Sequence, residues 1–224
     1  MSRLLIMGAG GYTLEPSAEI IDDFLIKKID KANPRICMLP TACGERQESI
    51  DKFYQYFQTK GAKASHISLF CPEIEDIDAH LAAQDAIYIT GGNTKSMLAL
   101  WKEWGVDKAL IKAYEAGVFI FGVSAGAMCF FDEGFSDSFP NQYTNISCLG
   151  VLPGSFCPHY IRDEVRAKLY EKSIRNNKNK PGIAVEDGVA LYYANGSLSE
   201  IIRTRDEANA YRIYSSGKIE IVSI

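Results

Sequence analysis

The sequence predicts an α/β fold in which a largely parallel sheet is covered by helices on both faces and extended by antiparallel C-terminal strands. Three observations predict it. Short apolar runs alternate with amphipathic helical segments through residues 1–130, the order that builds parallel sheets. A Gly-x-Ser-x-Gly sequence at residues 122–126 directly follows one of these runs. Beyond residue 190, strand-like runs are separated by Asn-Gly and Ser-Gly turn signals, which favour hairpins.

The composition is that of an ordinary soluble domain. With 224 residues, we expect a single domain spanning residues 1–224. A net charge of -4 lacks the basic excess that nucleic-acid binding requires, so no nucleic-acid partner is expected. No apolar run has the length of a signal peptide or a membrane span, so we expect a cytoplasmic protein with no membrane partner. The 6 cysteines form no Cys-x-x-Cys pair, which argues against metal sites and disulfides.

The strands predicted first in the chain are residues 3–7, 35–39, 64–69 and 85–90. Helical spacing of apolar residues predicts helices over 17–32, 45–60 and 74–83, with another beginning near Thr94. The glycines at 8–11 suggest a dinucleotide-binding loop. However, Thr13 stands where the third glycine is needed, and Pro40-Thr41 follows the second strand instead of a ribose-binding acid. We therefore predict a tight turn there and no cofactor.

The stretch 117–128 has the pattern of a nucleophile elbow. A β-branched and aromatic run ends at Gly122, Ser124 follows, and small helix-compatible residues come after Gly126. In such a turn a side chain at either glycine would collide with a neighbouring strand or helix, and strain pushes the serine hydroxyl outward. Ser124 is therefore the candidate nucleophile, although a glycine-rich turn without chemistry has the same pattern.

A second glycine turn, Gly91-Gly92-Asn93-Thr94, follows the strand at 85–90. Its unobstructed N–H groups can face a negative charge at a helix N-terminus. An ordinary βα turn capped by Asn93 or Thr94 would have the same sequence. Because ligands of parallel sheets gather at the C-terminal ends of the strands, we expect this turn and Ser124 to open onto one edge.

A nucleophilic serine needs a base, and the chain offers three histidines, His66, His80 and His159. His66 lies in a predicted strand and His80 in a charged helical segment, whereas His159 precedes a helix and can project toward the same edge as Ser124. The histidine needs a carboxylate to orient it. Asp137 and Asp187 are both candidates, and the sequence alone leaves the choice open. An exopeptidase also needs an anion for the substrate's ammonium group, so both acids can have a role.

These residues together resemble the serine-type peptidase E family of aspartyl dipeptidases, which is related to cyanophycinase. The resemblance rests on Gly-x-Ser-Ala-Gly-Ala around Ser124, on Gly91-Gly92-Asn93, on Pro158-His159-Tyr160 and on Asp187-Gly188, in this order. It covers essentially the whole chain. It implies a fold similar to class I glutamine amidotransferases, with a serine in place of their cysteine and with no cofactor or metal.

The resemblance also implies residue roles. Ser124 would be the nucleophile and His159 the base, and Asp137 and Asp187 match positions of catalytic acids in the family. The N–H groups of Gly92 and Ala125 would form the oxyanion hole, within a substrate-binding set that includes Gly91 and Asn93. Arg166 best matches the arginine expected to bind an N-terminal aspartate, although it can instead pair with Asp163 or Glu164 on a helix surface.

The function expected is hydrolysis of short peptides, with Asp-X dipeptides as substrates and an acyl-enzyme on Ser124. The expected partner is a small peptide, and a homodimer is a possible assembly. One alternative is an α/β-hydrolase esterase, whose histidine normally comes later in the chain. Another is a non-catalytic amidotransferase-like module that binds a small acidic ligand.

Overall fold

The computed structural model describes residues 1–13 and 18–224. The strands in these residues are β1 (Arg3–Met7), β2 (Arg35–Leu39), β3 (Lys63–His66), β4 (Ala86–Ile89), β5 (Phe119–Val123), β6 (Phe131–Phe139), β7 (Gln142–Ser147), β8 (Leu152–Cys157), β9 (Gly182–Val185), β10 (Val189–Ala194), β11 (Ser197–Arg203), β12 (Ala210–Ile213) and β13 (Ile219–Ile221). The α-helices are α1 (Ala18–Ile29), α2 (Gln47–Thr59), α3 (Ile77–Ala82), α4 (Thr94–Trp104), α5 (Val106–Glu115), α6 (Ala125–Met128) and α7 (Glu164–Arg175).

A seven-stranded sheet has the strand order β11-β10-β1-β5-β4-β2-β3. The five strands from β1 to β3 in this order are parallel to one another. The hairpin of β10 and β11 pairs antiparallel at the β1 edge, and its turn is Asn195-Gly196. The predicted fold class, a largely parallel sheet with antiparallel C-terminal strands, is confirmed.

Along each strand, side chains alternate between the two faces of the sheet, so each face has its own set of apolar residues. Helices cover both faces of this sheet. On one face, α1 and α2 bury Leu25 and Phe53 against sheet residues such as Phe121. On the other face, α4 and α5 bury Trp101 and Leu110 against their own set of sheet residues. Among the helices of residues 1–13 and 18–224, none is long and apolar enough to cross a bilayer.

A second sheet has the order β13-β12-β9-β8-β6-β7 and was not predicted. The residues between Ser124 and His159, for which the sequence predicts no strand, form β6, β7 and β8. We also expected all C-terminal strands to extend the main sheet, but β12 and β13 join the second sheet through β9. Exposed polar residues interrupt the apolar pattern of β6 and β7, which explains why sequence periodicity missed them.

The predicted helices and strands of the first half are present with shifted ends. The predicted strand 64–69 is β3, and the predicted helix 74–83 is the shorter α3. Helix α1 begins at Ala18 in the described residues, and the predicted start at Ser17 lies outside them. Helix α5 was not predicted as a separate helix; Gly105, with a φ of 72°, separates it from α4.

Candidate active site

Ser124 lies at a sharp turn between β5 and α6, with a φ of 53° that is unusual for a residue with a side chain. Glycines permit the turn by close approach. A Cβ on Gly122 would lie 2.2 Å from the Gly126 carbonyl oxygen, and a Cβ on Gly126 would lie 2.3 Å from that of Ile89 in β4. The elbow geometry expected from the sequence is therefore present, with the serine in strained backbone conformation.

The side chains of Ser124, His159 and Asp187 form a continuous chain of hydrogen bonds. The His159 Nε2 atom lies 3.0 Å from Ser124 Oγ, and its Nδ1 atom lies 2.6 Å from Asp187 Oδ1. His159 follows β8 and has a φ of 56°, so both the serine and the histidine are in the left-handed region. The structure thus brings together three of the residues singled out in the sequence.

Asp187 is held in its charged form. Burial alone would raise its pKa, but the hydrogen bonds from His159 and Arg162 outweigh burial and keep the pKa below its usual value. An ionised carboxylate only accepts hydrogen bonds, so the proton between the two groups belongs to His159 Nδ1. When the imidazole is neutral, His159 Nε2 then accepts from the Ser124 hydroxyl, which is the tautomer that a general base requires.

The end of β1 and the turn after it bind the backbone beside Ser124 and Asp187. The Met7 carbonyl accepts the Ser124 N–H at 3.0 Å, and the Ala9 carbonyl accepts the Gly188 N–H at 2.7 Å. A Cβ on Gly8 would lie 2.7 Å from the Val185 carbonyl oxygen, so a glycine is needed there. The predicted tight turn therefore links the backbone of Ser124 to the backbone next to Asp187.

The Gly91-Gly92 turn lies against the serine. A Cβ on Gly91 would lie 3.2 Å from Ser124 Cβ. Gly92 has a φ of 139°, and a Cβ there would lie 2.0 Å from the Ala42 carbonyl oxygen. Ala125, which directly follows Ser124, is the first residue of α6, so its N–H has no partner within the helix.

The side chain of Asn93 forms hydrogen bonds within the protein. Its Oδ1 atom accepts the Ser96 N–H at 2.9 Å and caps α4, and its Nδ2 atom donates to the Ser138 carbonyl. This is the ordinary βα-turn role considered from the sequence. Its side chain is therefore used by the helix cap and by β6.

Asp137 and Arg166 form a pair away from the imidazole. Arg166 Nη2 donates to Asp137 Oδ2 at 2.5 Å, and Arg166 Nη1 donates to the Pro158 carbonyl. The guanidinium also lies 5.0 Å from the centre of the Tyr143 ring. Arg166 Nε also lies 3.9 Å from Asp163 Oδ2, one of the partners considered from the sequence, but the arginine side chain is buried and does not lie on the helix surface. The structure does not bring Asp137 into contact with His159, whereas it does so for Asp187.

Two clefts meet at His159. One, of about 370 Å³, contains Ser124 and is lined by Tyr12, Gly91, Gly92 and two cations, Arg46 and Lys52. The other, of about 470 Å³, contains Asp137 and Arg162 and lies over the start of α7. We call them the nucleophile cleft and the α7 cleft.

The other two histidines and the acid beside Asp187 have structural partners. His66 bonds to Tyr54 and His80 to Ser65, and Glu186, beside Asp187, accepts a hydrogen bond from Tyr211. Within residues 1–13 and 18–224, no three His, Cys, Asp or Glu side chains cluster as metal ligands do. The site therefore brings a serine hydroxyl, an imidazole and a carboxylate into hydrogen-bond contact, an arrangement suited to acyl transfer.

A family model for peptidase family S51 matches residues 4–201. The chain belongs to peptidase family S51. This confirms the resemblance drawn from the sequence and makes the chain a serine-type peptidase, a hydrolase.

The uncharacterized peptidase YgaJ of Bacillus subtilis (strain 168) is 42% identical over 213 residues, covering 95% of this chain and 92% of that protein. The uncharacterized peptidase Lin0382 of Listeria innocua is 29% identical over 184 residues, covering 72% of this chain and 85% of that protein.

Solved structures share the fold of this S51 peptidase. A putative peptidase E protein from Listeria monocytogenes EGD-e has a TM-score of 0.68 at 19% identity, covering 91% of this chain and 98% of that one. A peptidase from an acI-B1 Actinobacterium has a TM-score of 0.70 at 17% identity, covering 100% of this chain and 94% of that one. At these identities the likeness establishes the fold.

Sequence reasoning missed two features of this peptidase. Arg46 and Lys52 line the nucleophile cleft, but they lie on a helix whose pattern signals only its buried face. Arg162 donates to Asp187 Oδ2 at 3.2 Å, a contact between residues 25 positions apart. Charged side chains on an exposed surface carry no periodic signal, so only the folded chain reveals these positions.

Proposed function

We propose that this S51 peptidase is an exopeptidase that hydrolyses short peptides, with Asp-X dipeptides as its expected substrates, through an acyl-enzyme on Ser124. The observation that carries the proposal is the hydrogen-bond chain from Ser124 through His159 to Asp187, at 3.0 and 2.6 Å, at the mouth of an open cleft. It supports Ser124 as nucleophile, His159 as base and Asp187 as the orienting acid.

In the proposed mechanism, Ser124 Oγ attacks the carbonyl carbon of the scissile peptide bond while His159 Nε2 takes the hydroxyl proton. The N–H groups of Gly92 and Ala125 stabilise the tetrahedral oxyanion, at about 3 kcal/mol for each donor. His159 then gives its proton to the leaving amine, and the C–N bond breaks to leave an ester on Ser124. Water, deprotonated by His159, hydrolyses that ester and restores the hydroxyl. Each proton transfer uses a group of this chain.

An exopeptidase must also recognise the free N-terminus of its substrate. Asp137 is suited to bind the α-ammonium group because its side chain is 57% exposed and shares the α7 cleft with His159. We therefore assign Asp137 to substrate binding and Asp187 to the orientation of His159. This division keeps a role for both acids that the sequence had offered.

The preference for an N-terminal aspartate needs a cation for its side chain. Arg166 was expected from the resemblance to be that cation, but its side chain is 6% exposed and already holds Asp137. In this proposal Arg166 positions Asp137, and the acidic side chain of the substrate requires another cation of the site.

The test is a panel of Asp-X, Glu-X, Asn-X and β-Asp-X dipeptides, assayed with the wild type and with Ser124→Ala and His159→Gln. We expect each variant to lose about 10⁴-fold or more in kcat, since members of such a triad act as a unit. Ser215→Ala, at an exposed serine outside the site, is the matched control and should keep wild-type kinetics. Activity within a few-fold of wild type in Ser124→Ala would overturn the assignment.

Two further assays separate the alternatives. Hydrolysis of p-nitrophenyl acetate without any dipeptide hydrolysis would favour an esterase. Absence of labelling of Ser124 by a fluorophosphonate probe would favour a non-catalytic module that binds a small acidic ligand.

A further inference from the structure

The nucleophile cleft has an electrostatic character that its catalytic residues do not explain. Two cations, Arg46 and Lys52, belong to its wall, together with Ser124 and His159. No aspartate or glutamate belongs to the lining that the described residues provide. A negatively charged ligand group entering this cleft therefore meets positive charge beside the nucleophile.

Both cations are exposed and available to a ligand. Arg46 is the residue before the first turn of α2, and Lys52 lies within that helix. In the part of the chain that the structure describes, neither side chain forms an ion pair or donates a hydrogen bond to another residue. The two arginines of the α7 cleft differ in this respect, since Arg162 pairs with Asp187 and Arg166 with Asp137.

The α7 cleft has the opposite arrangement. Its lining includes three acids, Asp137, Asp163 and Glu164. Its two arginines, Arg162 and Arg166, each already hold a carboxylate of this chain. The charges on the two sides of His159 are therefore suited to opposite ends of a zwitterionic peptide.

We propose that Arg46 and Lys52 form a carboxylate-binding subsite in the nucleophile cleft. An arginine can hold a carboxylate with two parallel hydrogen bonds, and a lysine adds a point charge. The carboxylate is either the acidic side chain of the first residue or the C-terminal carboxylate of a dipeptide. In both cases it belongs to a short acidic or unblocked peptide, and the assignment rests on the proposed exopeptidase function.

The experiment measures binding separately from turnover. Isothermal titration calorimetry uses the full chain carrying Ser124→Ala, with four ligands: Asp-Leu, Asn-Leu, Asp-Leu-amide and Asn-Leu-amide. The test protein adds Arg46→Gln and Lys52→Gln. The control adds Lys102→Gln and Lys108→Gln instead, which removes the same charge from exposed positions on α4 and α5.

We expect the Arg46→Gln, Lys52→Gln protein to bind Asp-Leu about tenfold or more weakly than the control protein, as loss of a charge-assisted hydrogen bond predicts. If the subsite holds the C-terminal carboxylate, Asn-Leu weakens equally and Asp-Leu-amide is unchanged. If it holds the side chain, Asp-Leu-amide weakens and Asn-Leu is unchanged.

Equal affinity of the test and control proteins for all four ligands would overturn the subsite, as would an equal loss for Asn-Leu-amide, which carries no carboxylate. The proposed function fails in a different way. Carboxylate-dependent binding in the calorimeter, combined with no dipeptide hydrolysis by the wild type, would retain the subsite and reject the exopeptidase.

Discussion

Asp187 and Asp137, the two acids offered by the sequence, have opposite surroundings. The Asp187 side chain is 14% exposed and contacts His159 directly. Asp137 is 57% exposed, and its only ion-pair partner within residues 1–13 and 18–224 is the buried Arg166. A carboxylate that orients a histidine has to be enclosed and aimed at the ring, whereas one that binds a substrate ammonium has to remain accessible. The same residue type is therefore suited to two roles by its environment.

The largest expected effect separates these two acids. Asp187→Asn should lower kcat for a dipeptide by about 10⁴-fold, because the amide cannot hold His159 in the required tautomer or stabilise the imidazolium. Asp137→Asn is the matched comparison: it should leave kcat within a few-fold and raise KM, because it weakens binding of the substrate ammonium. Steady-state kinetics of both variants at pH 7 provides the measurement. Reversed effects would exchange the two roles.

A smaller effect tests how Asp137 is positioned. Arg166→Met should lower the free energy of unfolding by about 2 kcal/mol, because it removes the charge-assisted hydrogen bonds that a buried guanidinium makes to Asp137 and to the Pro158 carbonyl. Since Pro158 precedes His159, we also expect lower activity. Urea unfolding measures the first effect.

The control for this substitution is Asp137→Asn, which alters the exposed end of the same pair and should cost less than about 1 kcal/mol. Arg166→Lys should also destabilise, since a lysine cannot reproduce the two-sided contacts of the guanidinium. Equal stability of Arg166→Met and Asp137→Asn would mean that the buried guanidinium contributes nothing beyond the exposed pair.

The sequence predicted the elbow and the histidine because local patterns encode them. Close packing requires Gly122 and Gly126, and these are the two glycines of the Gly-x-Ser-x-Gly sequence around Ser124. The choice between the acids depended on contacts between distant segments. Next to Asp187, the Gly188 N–H donates to the Ala9 carbonyl near the start of the chain, and no local pattern records that contact.

The second sheet escaped prediction for a related reason. Its strands β6 and β7 carry partly exposed polar residues and a glycine, so apolar alternation is weak. Asp137 lies on β6 and not in a loop, which fixes it beside Arg166 of α7. The pairing of Asp137 with Arg166 therefore depends on a sheet that periodicity could not reveal.

The smallest expected effect concerns Arg162, which contacts Asp187 from the solvent side. Its side chain is 71% exposed, so solvent screens its charge and Arg162→Gln should change dipeptide hydrolysis at pH 7 by no more than about threefold. A loss above about thirtyfold would mean that Arg162 contacts the substrate.

The same substitution has a defined effect on acid stability. Burial raises the pKa of Asp187, but the hydrogen bonds from His159 and Arg162 lower it below its usual value. A carboxyl group with a lowered pKa stabilises the folded state above its unfolded pKa, about 3.9, and this contribution is lost as the pH falls through the folded-state pKa.

Arg162→Gln removes one of the contacts that lower the pKa of Asp187, so acid unfolding should begin at slightly higher pH. Thermal unfolding from about pH 3 to 7 measures this against Arg175→Gln, which removes an exposed Arg–Glu pair on α7 and leaves Asp187 untouched. If Arg162→Gln and the control shift the pH of acid unfolding equally, then His159 alone keeps Asp187 charged. The difference between Asp187 and Asp137 would then depend only on the contact with the imidazole.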